Sequence, residues 1–199
     1  MENNNVILKD RATTENRLLD AVGEIIEEQG FENIGINAIA KKANVSKILI
    51  YRYFGSIEEL IAQYILKKDY WINISTDMEL ADLGSFLKKI FREQIFMSRQ
   101  DKLLKRLYRW ELSSNNSIVE ALREKREKNA VKLIELASEL NKSTKGETAV
   151  FALLISSSIS YLTMLEEVCP IYCTIPIQTD KGWEQIANVI NKLIDDWIK

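Results

Sequence analysis

Basic and phenolic side chains are concentrated in one short segment near the N-terminus. Between residues 33 and 57 the chain carries Lys41, Lys42, Lys47 and Arg52 and has no Asp or Glu, although its formal net charge is −2. Ammonium, guanidinium and phenol groups are the donors that proteins use to bind phosphate oxygens. A local basic surface in an acidic protein therefore predicts contact with a phosphate backbone, through local placement and not through long-range attraction.

Three short helices are predicted to position these side chains. The apolar residues of helix one, about Thr14 to Gln29, recur at i, i+3, i+4, i+7 and i+8, and we expect Gly30 to end it in a left-handed conformation. Helix two is predicted over about Ile36 to Ala43, followed by a left-handed turn at Asn44. Ser46 is expected to cap helix three. Two short helices joined by a tight turn form a helix-turn-helix, which places its second helix in the major groove of DNA.

The third helix, about residues 46–54, combines polar and aliphatic side chains. Ile50 and Phe54 fill its inward face, so we expect Leu49 to be exposed. The pattern does not decide whether Ile48 is exposed or buried. If both aliphatic side chains face DNA, they would pack on thymine methyl groups, the apolar part of major-groove recognition. If both are buried, DNA contacts come only from the polar residues of this helix.

The motifs Gly30-Phe31, Ile39 to Ala43, Val45-Ser46-Lys47 and Tyr51 to Phe54 resemble the N-terminal domain of the tetracycline-repressor (TetR) family of bacterial transcription regulators. The resemblance implies an all-α homodimer of nine or ten helices. It places a three-helix DNA-binding domain at residues 11–71, with the helix-turn-helix motif at about 34–53. Residues 72–199 would form a helical bundle for dimerisation and ligand binding.

The family pattern also implies which residues meet DNA, with Tyr51 bonding a phosphate and Asn37 touching the backbone from helix two. Three departures from the pattern stand out: Gly35 where Thr is common, Ile48-Leu49 where Gly-Thr is common, and Ile57 where a phosphate-binding Lys is common. The complete set of predicted DNA-binding residues is Asn37, Ser46, Lys47, Ile48, Leu49, Tyr51, Arg52 and Tyr53.

Beyond helix four, which is predicted to start at a Ser56–Glu59 capping box and to continue to about Ile74, five more helices are expected. Capping boxes are predicted at Ser117–Glu120 and at Thr144–Glu147. Helix eight contains an uncharged run of 18 residues, Thr148 to Leu165, long enough to raise the question of a membrane span. Its serines and flanking caps favour a buried core helix.

Helix nine has the most regular apolar stripe, spaced as in a coiled coil. Helix eight is apolar nearly all round and must be covered on every side. Together the two helices predict a four-helix dimer interface; the alternative is that both belong to the core of one chain. The predicted interface residues are Ile186, Ile190, Leu193, Ile194 and Trp197.

Aromatic residues on helices five to eight are interspersed with a few polar groups, and together with the family resemblance this predicts an inducer pocket among these helices. The alternative, that each of these side chains belongs to ordinary core, is open at every position. The predicted pocket residues are Phe91, Met97, Tyr108, Trp110, Glu111, Tyr161 and Met164.

Several functional classes are disfavoured by composition. The chain has no His, and its 7 Gly are scattered singly, so neither a His-assisted nucleophile nor a Gly-rich phosphate loop is expected. Cys169 and Cys173 fit neither a zinc knuckle nor a Cys-x-x-Cys pair, so we expect reduced thiols, with a redox pair as the alternative. We predict no enzyme activity, no metal and no cofactor. The N-terminus lacks the features of a signal peptide, which predicts a cytoplasmic protein without a membrane anchor.

These observations predict a transcriptional regulator, more specifically a repressor. It would bind a pseudo-palindromic operator as a homodimer and respond to a small-molecule inducer of unknown identity. The alternative is a helical protein-interaction module that keeps the fold but has lost specific DNA binding, motivated by Ile57 and by Ile48-Leu49. The residues do not distinguish a repressor from an activator.

Overall fold

The computed structural model describes residues 2–69 and 83–198, with side chains from residue 11 onward, Glu32 excepted. Its described residues are almost entirely α-helical, which confirms the all-α prediction. The helices are α1 Glu2–Gln29, α2 Ile36–Lys42, α3 Ile48–Phe54, α4 Ile57–Lys68, α5 Leu83–Gln100, α6 Lys102–Ser113, α7 Ser117–Asn141, α8 Lys145–Leu165 and α9 Asp180–Trp197.

The chain divides into two compact units. The first contains residues 1–69 and 109–124, and the second contains residues 70–108 and 125–199. The end of α6 and the start of α7 therefore pack with the N-terminal helices. The predicted continuation of helix four to about Ile74 is wrong, because α4 ends at Lys68 and the backbone of Asp69 is extended. The predicted domain boundary at 71/72 lies outside the described residues, and the division into two functional domains stays a prediction.

The first unit is built around the predicted apolar face of α1. Leu18, Val22, Ile25 and Ile26 are fully or almost fully buried, and they pack in a core shared with α2, α3 and α4. α1 begins at Glu2 and not near Thr14. An ion pair joins Arg11 to Glu15, one helical turn apart, across the predicted start of this helix.

Two turn residues of this unit adopt backbone conformations with positive φ. Asn44, at φ 51°, takes the predicted left-handed turn between α2 and α3. Gly30 also has a positive φ of 84°, but its ψ is 172°, so the predicted left-handed C-cap is wrong. Its conformation is an extended one that only glycine adopts without strain, which lets the chain leave α1 and enter the short 3₁₀ turn Phe31–Asn33.

Side-chain caps fix several helix starts. The Ser56 hydroxyl accepts a hydrogen bond from the Glu59 backbone N–H, and Thr144 with Glu147 forms the predicted reciprocal capping box. The predicted box at Ser117 is wrong, because Asn116 caps α7 instead: its Oδ1 accepts from two backbone N–H groups of the first turn, at 3.1 Å each. Asn is as effective as Ser at this position.

The second unit has a core formed by α5, α8 and α9. Its buried side chains come from all three helices: Phe91, Ile95, Ile155, Ile159, Trp183, Ala187, Ile190 and Ile194. Trp183 is anchored further by its indole N–H, which donates to the Ile177 carbonyl at 2.7 Å. Phe151 of α8 stacks on Trp197 of α9, with ring centroids 4.5 Å apart.

α8 has one covered face and one uncovered face within this chain. Ile155 and Ile159 are buried, whereas Val150, Leu153 and Leu154 are exposed. The expectation of a helix buried on all sides is therefore not met by a single chain. α8 is also the one described helix that is long and apolar enough to cross a membrane by length and composition, a weak criterion that core helices of soluble proteins also meet.

Candidate nucleic-acid interface

The outward face of α3 carries most of the predicted DNA-binding residues. Lys47, Ile48, Tyr51 and Arg52 are exposed, while Ile50 and Phe54 anchor the helix in the core of the first unit. The exposed set combines an ammonium group, a guanidinium group, a phenol and an aliphatic side chain. Phosphate contact and base recognition both need such groups on one surface.

The two aliphatic residues at the start of α3 differ from the expectation. Ile48 is 66 % exposed, whereas Leu49 is only partly exposed. Successive side chains project about 100° apart around a helix, so Ile48 lies almost opposite the inward Ile50 and Leu49 lies at its flank. Ile48 is therefore the aliphatic side chain best placed to reach a DNA base.

The remaining predicted residues lie in the same unit. Asn37 is exposed on α2, and Ser46 is exposed just before α3. The Ser46 hydroxyl accepts a long hydrogen bond of 3.4 Å from the Ile48 N–H, but the N-cap position of α3 is Lys47 and no side chain caps it, so the predicted cap at Ser46 is wrong. Tyr53 is half-buried, and the Arg11 guanidinium lies 5.2 Å from its ring centroid in a cation–π contact. Arg11 is also paired with Glu15, so it adds no unpaired charge beside the recognition helix.

The sequence places Lys42 in the basic surface, but in the structure its ammonium group is paired with two carboxylates and is not available to phosphate. Its Nζ lies 2.5 Å from a Glu28 carboxylate oxygen and 3.3 Å from a Glu24 oxygen. The hydrogen bond to Glu28, together with the nearby Glu24, raises the pKa of Lys42 above its usual value. The segment from 33 to 57 lacks acids of its own, but α1 supplies two of them, so the free positive charge is centred on α3.

Arg17 of α1 holds the turn of the motif, and sequence reasoning missed it. One of its guanidinium nitrogens donates to the backbone carbonyls of Ala43 at 2.6 Å and Asn44 at 3.2 Å. These carbonyls lie at the end of α2, where helical partners run out. The contact spans 26 residues, and no spacing in the sequence indicates it.

The predicted pocket residues divide between the two units. Trp110 and Glu111 belong to the first unit, where Trp110 stacks on Phe31 with ring centroids 4.6 Å apart. The other five belong to the second unit, with different environments: Phe91 and Tyr108 are buried, Met164 is half-buried, and Met97 and Tyr161 are exposed. A pocket lined by this set stays a prediction.

The predicted interface residues divide between core and surface. Ile190 and Ile194 are buried against α5 and α8 of the same chain, so they are not available to a partner, and their assignment to an interface is corrected here. Ile186 and Trp197 are half-buried, and Leu193 is exposed. Most of the apolar stripe of α9 therefore packs against α5 and α8 within the same chain.

The cysteines and acidic residues form no metal-binding group among the described residues, where no cluster of three His, Cys, Asp or Glu side chains occurs. Cys169 and Cys173 are free thiols in the loop before α9. Cys173 and Thr174 both have positive φ, at 45° and 69°, in a tight turn closed by an antiparallel bridge between Tyr172 and Ile175.

An exposed polar and aliphatic helix, held by a tight turn on two supporting helices, defines a helix-turn-helix protein. Residues 18–64 match the family model described as bacterial regulatory proteins, tetR family. This N-terminal segment is therefore similar to the DNA-binding domain of the tetR family of bacterial regulatory proteins.

Two relatives and one solved structure are also similar to this chain. Two uncharacterized HTH-type transcriptional regulators from two strains of Mycobacterium tuberculosis are each 33 % identical to the chain over 67 residues. That match covers 34 % of this chain and 33 % of each relative, so it spans about a third of their length. A TetR-like transcriptional regulator from Rhodococcus sp. RHA1 has a similar fold, with a TM-score of 0.60 at 22 % identity over 91 % of this chain and 93 % of that chain.

Proposed function

We propose that this protein is a DNA-binding transcriptional repressor that acts as a cytoplasmic homodimer and is released from its operator by a small molecule. The observation that carries the proposal is the exposed surface of Lys47, Ile48, Tyr51 and Arg52 on α3. That surface lies within the segment that matches the family model.

These side chains are proposed to have different roles in DNA recognition. Lys47, Tyr51 and Arg52 bind phosphates or base edges, with Tyr51 donating its hydroxyl to a phosphate oxygen. Ile48 packs on a thymine methyl group, an apolar contact that carries sequence information. Asn37 touches the backbone from α2, and Arg17 holds the turn that sets the angle between the two helices.

A second copy of the chain is the proposed cover for α8. Val150, Leu153, Leu154 and Tyr161 are exposed at helical spacings of 3, 4 and 7 residues, which places them on one face. Ser157 and Ser158 lie on the same face. Their hydroxyls donate to backbone carbonyls of their own helix, so they can be covered by a partner without losing a hydrogen bond. Val189 and Leu193 of α9 extend the exposed apolar surface. A self-complementary face of this kind suits a two-fold dimer.

The proposed inducer acts through the distance between the two recognition helices. A dimer binds successive major grooves when these helices are roughly 34–36 Å apart. A ligand that prefers a different spacing lowers operator affinity by the ratio of its affinities for the two conformations. The ligand site is proposed for the second unit, where α5, α8 and α9 form the core.

Selection of genomic DNA fragments by the purified protein tests the proposal. We expect a discrete set of fragments to be enriched at physiological salt, with an inverted repeat in common. A triple variant, Lys47→Ala with Ile48→Ala and Tyr51→Phe, should lose the enrichment, whereas Lys192→Ala, which alters an exposed residue of α9, should keep it. Equal enrichment by the triple variant and the wild type would instead favour the protein-interaction module.

A further inference from the structure

Two buried oxygen atoms on α5 lack partners. Gln94 Oε1 and Ser98 Oγ have no hydrogen bond to any part of the chain that the structure describes. Gln94 is 0 % exposed and Ser98 is 1 % exposed. The two residues are four apart, so their side chains lie one above the other on the same helix face. Buried polar atoms are rarely left unbonded in native proteins, so this pair calls for a partner outside the chain.

The orientation of the Gln94 amide decides what that partner offers. Its Nε2 donates to the Ser156 carbonyl at 3.1 Å and contacts the Ser160 hydroxyl at 3.4 Å, both on α8. Reversing the amide would set its oxygen against the Ser156 carbonyl oxygen, which cannot donate. The free Oε1 is therefore an acceptor, and its partner must present an N–H or O–H group. Ser98 can accept or donate, because its hydroxyl rotates.

The residues around Gln94 and Ser98 limit the charge and the polarity of a possible ligand. Ile90 and Phe91, one turn earlier on the same face, are buried, so the surroundings of the two oxygens are apolar and match a partner with an apolar body. An anion such as a carboxylate has no donor for Gln94. A cation would be buried without a counter-charge, because the half-buried Glu166 of this unit is already paired with Arg99 at 3.0 Å and Lys105 at 3.8 Å.

We propose that Gln94 and Ser98 form the polar centre of a ligand site in the second unit, and that its ligand is a neutral small molecule with a hydroxyl or amide N–H on an apolar body. The site rests on the proposed function, since this ligand would be the inducer. It also departs from the pocket predicted from the aromatic residues, because neither Gln94 nor Ser98 belongs to that set.

Three probes of similar size distinguish the ligand classes: benzyl alcohol, ethylbenzene and benzoate. Dissociation constants are measured by ligand-observed NMR on the full-length protein, and thermal melts report stabilisation of the native state. We expect benzyl alcohol to bind about three- to tenfold more tightly than ethylbenzene, the effect of one neutral hydrogen bond. Benzoate should bind more weakly than either.

Variants locate the binding. Ser98→Ala should remove most of the preference for benzyl alcohol, and Gln94→Met should do the same where it folds. Thr163→Val is the matched control: Thr163 is buried on α8, but its hydroxyl already donates to the Ser160 carbonyl, so the preference should survive. Equal binding of benzyl alcohol and ethylbenzene, a preference for benzoate, a preference that Ser98→Ala leaves intact, or no binding of any probe would each overturn the proposed site.

DNA binding is also measured in the absence of the probes, because this measurement tests the proposed repressor function independently of the proposed ligand site. If the protein enriches operator fragments but shows no preference for benzyl alcohol that depends on Ser98, the proposed DNA-binding function stands and the proposed ligand site is overturned. An alcohol preference that depends on Ser98, in a protein that enriches no DNA fragments, would support the site and count against the proposed repressor.

Discussion

Two lysines that look equivalent in sequence should affect DNA binding differently. Lys47 is exposed at the start of α3, whereas Lys42 is held by Glu28 at 2.5 Å and by Glu24 at 3.3 Å. A cation that is neutralised within the protein displaces no counterions from DNA. We therefore predict that Lys47→Gln changes the salt dependence of DNA binding and that Lys42→Gln does not.

The magnitude follows from counterion release. Each phosphate contact contributes about 0.9 to the slope of log K against log salt concentration, so removing Lys47 from both subunits of a dimer should lower the magnitude of the slope by about 1.8. Between 50 and 200 mM salt, the wild type should then lose roughly tenfold more affinity than Lys47→Gln does. Lys42→Gln should keep the wild-type slope.

The assay is fluorescence anisotropy on one enriched DNA fragment at four or more salt concentrations, with circular dichroism melts to confirm that both variants fold. A slope that falls equally in the two variants would mean that Lys42 reaches DNA despite its acidic partners. A wild-type slope in Lys47→Gln, with specificity relaxed at one base pair, would assign Lys47 to guanine and refute its phosphate contact.

Three further predictions concern the turn, the base contact and the dimer. Arg17→Met should lower the free energy of unfolding by about 1–2 kcal/mol in urea titrations, because two turn carbonyls lose their donor, and it should weaken DNA binding as well; an unchanged urea midpoint would count against its bracing role. Ile48→Ala should leave the salt slope intact and selectively weaken sites with a thymine at one position, as measured on a panel of single-base variants; a uniform loss over the panel would contradict base recognition. Leu153→Glu should yield monomers in sedimentation, because a carboxylate in a dimer interface is buried without a partner. Val168→Glu, at a still more exposed position after α8, should remain dimeric, and a dimeric Leu153→Glu would remove α8 from the interface.

Local rules were sufficient to predict most of the fold. The apolar spacing of α1, the turn at Asn44 and the capping box at Thr144 are short-range patterns, and each appears in the structure as predicted. The errors arose where two local signals compete or where the pattern is silent. Asn116 caps α7 because it precedes Ser117 and is as good a cap, and α1 extends to Glu2 without any apolar stripe to mark it.

The candidate site was predictable in outline, but its electrostatics were not. Which residues lie on α3 follows from the motif, whereas the neutralisation of Lys42 and the brace from Arg17 depend on contacts across 14 and 26 residues. Likewise, the stripe on α9 predicts an apolar face but not what covers it: α5 and α8 of the same chain already cover Ile190 and Ile194. Sequence periodicity reports burial and carries no information about the partner.

The most direct test of the central claim is a hydroxyl-radical footprint of the purified protein on the DNA that flanks its own coding region. We predict two protected half-sites related by a two-fold axis, with centres about one helical turn of DNA or a multiple of it apart. We also predict that the triple variant at Lys47, Ile48 and Tyr51 leaves both half-sites unprotected. If the wild type protects no enriched fragment, or if the triple variant protects the same half-sites, α3 is not a DNA-recognition helix.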